Sequence, residues 1–356
     1  MALTYDGTNG ITFNDGSQMG TGHQLGMRNR IINGNMVINQ RAFSGTPNNE
    51  YTLDRWNISN AQTGKLTVSQ SSDAPAGFVN SLLVTSSSAY TTTATDFFGI
   101  QQRIEGYNIA DLNFGSANAK TITISFWVKS SLTGTFSGAI NNGAWDTSYA
   151  FTYVINSAST WEYKTVTIVG TSSGTWLTTN GNGMRVWFNL GLGTTYATTA
   201  NTWVTGSGSY GVSGTINVVG TNAATFQITG VQLEKGSVAT PFEYRQYGTE
   251  LALCQRYFQT YVGSQYLHEC GGGATTSTAV IYFKPLIVSM RTSPTFAASG
   301  TFNADGTSYT TVSLGLDYAS TTNVRLQGTA SGFTAGQYYG LTHQTTNSSL
   351  QFSAEL

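Results

Sequence analysis

Apolar residues recur at every second position over much of this chain. In TITISFWVK, Ile122, Ile124, Phe126 and Val128 share one phase, and in YAFTYVI the same holds for Tyr149, Phe151, Tyr153 and Ile155. Period two places such residues on one face of a strand, so each run predicts a strand with one buried side. Leu66 with Val68, Ile216 with Val218, and the series Met184, Val186, Phe188 and Leu190 read the same way. Gly/Ser/Thr/Asn clusters separate the runs as turns. In FQITGVQLE the phase slips between Ile228 and Val231, and Gly230 at the slip predicts a β-bulge. Strands repeated at this spacing predict a β-sandwich over residues 29–246.

Helical spacing occurs in one segment. In ELALCQRYFQTY, Leu251, Cys254, Phe258 and Tyr261 recur along one helical face behind Thr249, a capping residue type, which predicts a linker helix within 247–264. Alternation resumes in AVIYFKPLIV, TTVSLGLDY and SLQFSAEL, predicting a smaller β-domain over 265–356 that forms a distal tip. Residues 1–28 carry isolated apolar side chains, Tyr5, Ile11 and Phe13, in Gly-rich polar sequence. They are too few to bury a core, so the segment is expected to be an extended anchor that docks on another protein.

Composition narrows the function. Charged residues are 9% of 356 and the net charge is -1, so there is no basic field for nucleic acid or anionic membranes. MALTYDGTNG has neither a cationic nor an apolar signal region, and no apolar run suffices for a membrane span. The expectation is a soluble protein made in the cytoplasm and not exported through a signal peptide. Cys254 and Cys270 are read as free thiols, without a metal or a disulfide.

Several stretches resemble bacteriophage tail proteins. GITFNDGSQMGTG resembles amino-terminal pieces of tail fibres. RIINGNMVINQRAFSG, LDRWNIS, ISFWVKSS, WEYKTVTIVGTSSGTW and ITGVQLEKGSVATPFEYRQYGTELALCQRYF resemble the carbohydrate-binding-module type of jelly roll in such proteins, and PLIVSMRTSPTF resembles their distal domains. The resemblance implies an all-β, jelly-roll virion protein in the tail. It would be a homotrimeric fibre that docks on other tail or baseplate proteins through its amino terminus and attaches to a host-surface glycan. A capsid or tail decoration protein is the alternative, and a polysaccharide depolymerase a further one. Avidity across a trimer would multiply weak contacts.

Catalytic signatures are absent from the sequence. His23, His268 and His343 form no ligand pair, and no nucleophile elbow or phosphate loop appears. Asp96, Glu105, Asp111, Asp146 and Glu162 are the carboxylates a depolymerase could pair, and turn capping explains them more simply. The reading is therefore a non-enzyme without cofactors. A structural calcium, which carbohydrate-binding jelly rolls often hold, would fall to Asp54 or Asp73, although no calcium loop is present.

The aromatic residues supply the ligand candidates. Trp127 and Trp187 are out of phase with the apolar faces of their strands, so they point away from the core, toward either a subunit contact or a sugar. Trp145, Trp176 and Trp203 sit in turn-like sequence and either bind a ligand or pin a loop. Trp56 and Trp161 read as core. In AGQYYGLTHQ, Tyr338 and Tyr339 form either a receptor contact or a buried turn.

Overall fold

The computed structural model describes residues 27–305 and 309–356, with the backbone of three short strands, Thr4–Asp6, Gly10–Thr12 and Gln18–Met19, before them. Tyr5 and Ile11 are cross-strand neighbours in that small sheet. Their side chains, like Phe13 as a whole, lie outside the described residues.

Two antiparallel sheets form a jelly-roll sandwich. The six-stranded sheet runs in the order Glu162–Ile168, Ile122–Ser130, Thr225–Lys235, Ser81–Ser86, Leu66–Ser71, Ser44–Gly45. The seven-stranded sheet runs Trp203–Thr205, Thr147–Ile155, Gly134–Asn142, Asn182–Leu192, Phe97–Glu105, Asn57–Asn60, Glu50–Tyr51. The period-two residues meet between them: Ile122, Ile124, Phe126, Val128, Met184, Val186, Phe188 and Leu190 are all fully buried. Phe126 packs edge-on against both Phe188 and Tyr153, each at 5.0 Å between ring centres. Burying a side chain of this size contributes about 1.5–3 kcal/mol, so the alternation is sufficient to hold the layers together.

The bulge lies where the phase slip places it. Ser125 pairs with Gln232 but Trp127 pairs with Thr229, and Gly230 takes up the extra residue at φ 61°. The expected strand at Ile216 and Val218 does not form. Asn217 accepts a hydrogen bond from the Gly220 amide and turns Val218–Gly220 into a single 3-10 turn, a local bond that competes with the ladder.

The helix is shorter than its pattern suggests. It spans Tyr247–Gln255 with Gln246 at its start, so Thr249 lies inside it and caps nothing. Phe258 and Tyr261 belong instead to the strand Phe258–Gly263, which pairs with Ser348–Ser353. That strand, with Thr295–Ser299, forms a three-stranded sheet beside a closed barrel of six strands: His268–Ala274, Ala279–Pro285, Asn323–Thr329, Tyr309–Ala319, Phe302–Asp305 and Tyr338–His343. Barrel and sheet share one core that includes Tyr282, Leu326, Leu341 and Phe352. Cys254 and Cys270 are free thiols.

Charged groups fasten the carboxy-terminal domain to the sandwich. Arg256 donates to both oxygens of Glu105 at 2.9 and 2.6 Å, and the Tyr257 hydroxyl donates to the same carboxylate at 2.6 Å. Glu355 pairs with Arg55 and, at 3.0 Å, with Arg41. The two guanidiniums lie over the rings of Tyr257 and Phe258, each 3.6 Å from the centroid.

Candidate functional site on the outer face of the seven-stranded sheet

Register fixes what the outer face of the seven-stranded sheet presents. Asn57, Gln101, Trp187 and Ala139 are successive cross-strand neighbours. On one side of that row lie Arg103, Arg185 and Asn141, and on the other Ser59, Gly99 and Asn189. Apart from the two arginines these residues are uncharged, and Asn57, Ser59, Gln101, Asn141 and Asn189 are all buried.

The indole of Trp187 lies across Gly99, where any Cβ would collide with it. Tyr210 stacks on Trp187 at 4.0 Å and 26°, and Trp145 stacks on the other side of Tyr210 at 4.7 Å and 27°. Tyr196 and Phe97 close the edges of this stack. The segment carrying Tyr210 is tied to the sheet by Asn141, which donates to the Ser209 carbonyl at 2.8 Å, and by Ser148, which donates to the Ser207 carbonyl at 3.2 Å. Trp145 adopts φ 62°, a conformation costly for a bulky residue and frequent where a side chain is held for function.

Several polar atoms on this face have no hydrogen-bond partner in the protein. Gln101 donates through its amide nitrogen to Asn57 at 3.1 Å and to Ser59 at 2.5 Å, yet its oxygen accepts nothing. The indole nitrogens of Trp187 and Trp145 and the side-chain oxygen of Asn141 are also unbonded. Gln101 is 3% exposed and Trp187 1%, so these omissions are costly unless a ligand or water completes them. Burial raises the Tyr210 hydroxyl pKa to about 12, which keeps it a neutral donor.

The sequence candidates divide accordingly. Trp187 faces outward as its phase requires, and Tyr210 of its own chain covers it. Trp145 joins it in the stack. Trp127 is half-exposed on the opposite sheet beside Tyr163, 5.4 Å between ring centres. Trp176, 7% exposed, pins a loop: it donates to the Ser173 carbonyl and packs edge-on against Phe114 and Trp203. Trp203 is half-buried and donates to the Val169 carbonyl.

Trp56 is core, whereas Trp161 is not. Trp161 is half-buried on the six-stranded sheet, donating to Asp73, and Lys129 sits 5.5 Å over its ring. Tyr338 and Tyr339 lie on a strand rather than a turn, so they face opposite ways: Tyr339 into the barrel, Tyr338 across Gly271 on the outer wall. Gln101, Asn57 and Arg185 escaped the sequence reading because polar residues within a strand carry no signal of which neighbours they meet.

The candidate carboxylates are each bonded within the chain. Asp96 caps Thr93, Asp111 pairs with Arg30, Asp146 accepts from Asn142, and Glu105 serves the domain junction. Burial opposes ionisation of Glu162, but bonds from Lys164, Ser157 and Asn156 outweigh it and bring its pKa to about 2. Asp54 bonds to Gln40 and Asp73 to Lys129, and no group of three or more metal-ligating side chains occurs among the described residues. Where the barrel meets the three-stranded sheet, His343 lies 2.7 Å from Ser348 and 3.1 Å from Glu269. Ser348 is 1% exposed and His343 0%, so the hydroxyl is enclosed by the fold.

No family model matches the chain, and no curated protein does. Among solved structures it aligns with the enzymatically active domain of tailspike protein 4 of bacteriophage CBA120, with 14% identity over 59% of this chain and 22% of that one, TM-score 0.33. It also aligns with the family 11 carbohydrate-binding module of Clostridium thermocellum in complex with a β-1,3-1,4-mixed-linked tetrasaccharide, with 11% identity over 56% of this chain and 98% of that one, TM-score 0.29. A third is the xylan-binding domain CBM22-1 from Paenibacillus barcinonensis, with 11% identity over 56% of this chain and 96% of that one, TM-score 0.25. Likeness at this level carries no argument about ligand or activity.

Proposed function

We propose that the protein is a non-enzymatic glycan-binding subunit of a virus particle, and that the outer face of the seven-stranded sheet receives the sugar. One observation carries the glycan reading. A buried acceptor, Gln101 Oε1, and a buried donor, Trp187 Nε1, lie unbonded on adjacent strands beside stacked aromatic rings. A sugar hydroxyl both donates and accepts, so it can complete either atom once the segment carrying Tyr210, which covers Trp187, moves aside, and the C–H faces of sugar rings pack on aromatic edges and planes. Side-chain amides held by neighbouring bonds, as Gln101 is by Asn57 and Ser59, keep the acceptor in place before the ligand arrives. The mounting on a virion, and attachment to a host surface, are supported by the resemblance of Gly10–Gly22 and of the ITGVQLEKGSVATPFEYR segment to tail-fibre sequences.

A glycan array carrying bacterial envelope polysaccharides tests the reading. Binding is expected, with Gln101→Leu losing at least about tenfold in affinity, the equivalent of one neutral hydrogen bond of about 1.4 kcal/mol. Trp127→Ala, on the opposite sheet, should bind as the parent does. Loss of binding with Trp127→Ala and full binding with Gln101→Leu would move the site to the six-stranded sheet.

A further inference from the structure

Arginine is unevenly distributed in this chain. Six guanidiniums, those of Arg41, Arg55, Arg103, Arg185, Arg256 and Arg291, gather around one end of the seven-stranded sheet and the junction below it. Arg41 and Arg55 meet Glu355, Arg256 meets Glu105, and Arg41 also lies 3.8 Å from Asp54. Arg291 donates to the carbonyls of Ala354, Glu355 and Asn180, and Arg103 to the main-chain oxygen of Leu356. Six cationic side chains therefore face three carboxylates.

Two members of this group are placed against their own electrostatics. Arg103 and Arg185 are direct cross-strand neighbours, a position where like charges repel. Neither pairs with an Asp or Glu side chain among the described residues, Arg103 donating instead to the main-chain oxygen of Leu356, and both are half-buried. Arg185 donates to the Gly143 carbonyl at 3.1 Å, on the flank away from Arg103. Burial and then the charge of Arg103 both act to lower its pKa, so holding it protonated here costs free energy in the unliganded protein. Partly desolvated arginines without an anion beside an unfilled acceptor are expected where an anionic group is to be bound, because a planar guanidinium takes a carboxylate through two parallel bonds.

We propose that the glycan bound on this face is acidic, its carboxylate held by Arg185 with Arg103 contributing charge, while Gln101 and Trp187 take hydroxyls of the same or the adjoining sugar. This rests on the glycan reading above and adds the chemical class of the ligand. Uronic acids, sialic acids and pyruvate ketals share the required chemistry.

The test uses the full chain and an array of uronate-, sialate- and pyruvate-bearing polysaccharides, each printed beside its neutral form, carboxyl-reduced or, for the ketals, with the pyruvate removed. At least one acidic polymer should bind about tenfold or more tighter than its neutral counterpart, with affinity falling as salt rises. Arg185→Gln should bring that ratio to about one, and Arg185→Lys, which retains the charge without the fork, should restore part of it. Circular dichroism and a thermal midpoint establish that each variant is folded. Equal binding of acidic and neutral forms by the parent would overturn the acidic ligand and leave the glycan reading standing. No binding to any polysaccharide, acidic or neutral, would remove both.

Discussion

Gln101 has both amide protons bonded and its oxygen bare, while the fold excludes solvent from 97% of the residue (exposure 3%). Leaving such an acceptor unmade costs on the order of 1–3 kcal/mol. Trp187 is the neighbouring case. Its outward phase was legible from the alternation in MRVWFNL, but its burial was not, because Tyr210 reaches it from a loop whose path no local pattern announces. Tyr210→Ala should expose the Trp187 ring and lose about 3–5 kcal/mol of stability, the cost of truncating a large aromatic in a packed position. Red-shifted tryptophan emission and a lower denaturant midpoint would show this. An unchanged spectrum would mean that Tyr210 does not cover Trp187 in solution.

Among the elements, strands with one apolar face were read directly, since period two and burial report the same fact. The bulge at Gly230 was also legible because a glycine coincides with the phase slip. Gly230→Ala puts a side chain at φ 61° with its Cβ 2.7 Å from the Phe78 ring, so a loss of about 1–3 kcal/mol is expected. A thermal midpoint within one degree of the parent would argue that the bulge can move. The helix was misjudged for a physical reason. Phe258 and Tyr261 fit the helical repeat, but pairing with Ser348–Ser353 satisfies their backbone and draws them into a sheet, and nothing within 247–264 encodes a partner at the far end of the chain. Trp161 was misjudged similarly: it stands just before the strand Glu162–Ile168 and turns to Asp73 on the surface.

At the scale of the molecule, charged groups join the sandwich to the carboxy-terminal domain beside an apolar cluster of Ile32, Ile38, Cys254 and Tyr257. Burial opposes ionisation of Glu105, but bonds from Arg256 and Tyr257 outweigh it and leave its pKa below the ordinary 4.5. A carboxyl depressed in the folded state contributes stability that is present above about pH 4.5 and is lost as pH falls through its lower folded value. Acid should therefore weaken the junction, and Glu105→Gln should show less of this acid sensitivity at a lower stability near neutrality. Chemical denaturation followed between pH 3 and 7 checks both; identical pH profiles for parent and variant would exclude Glu105 from the effect. None of this network was visible in the sequence, since Glu105, Arg256 and Glu355 come together only through the fold.

The claim on which the rest depends is that a sugar occupies the outer face of the seven-stranded sheet. The most direct measurement is the indole N–H region of a ¹⁵N–¹H correlation spectrum, where the seven tryptophans each give one signal, recorded while titrating the strongest ligand from the array. Saturable shifts at Trp187 and Trp145, with Trp127, Trp161 and Trp56 unmoved, are predicted. Shifts at Trp127 or Trp161 with Trp187 and Trp145 unmoved would contradict the account and place the ligand on the opposite sheet.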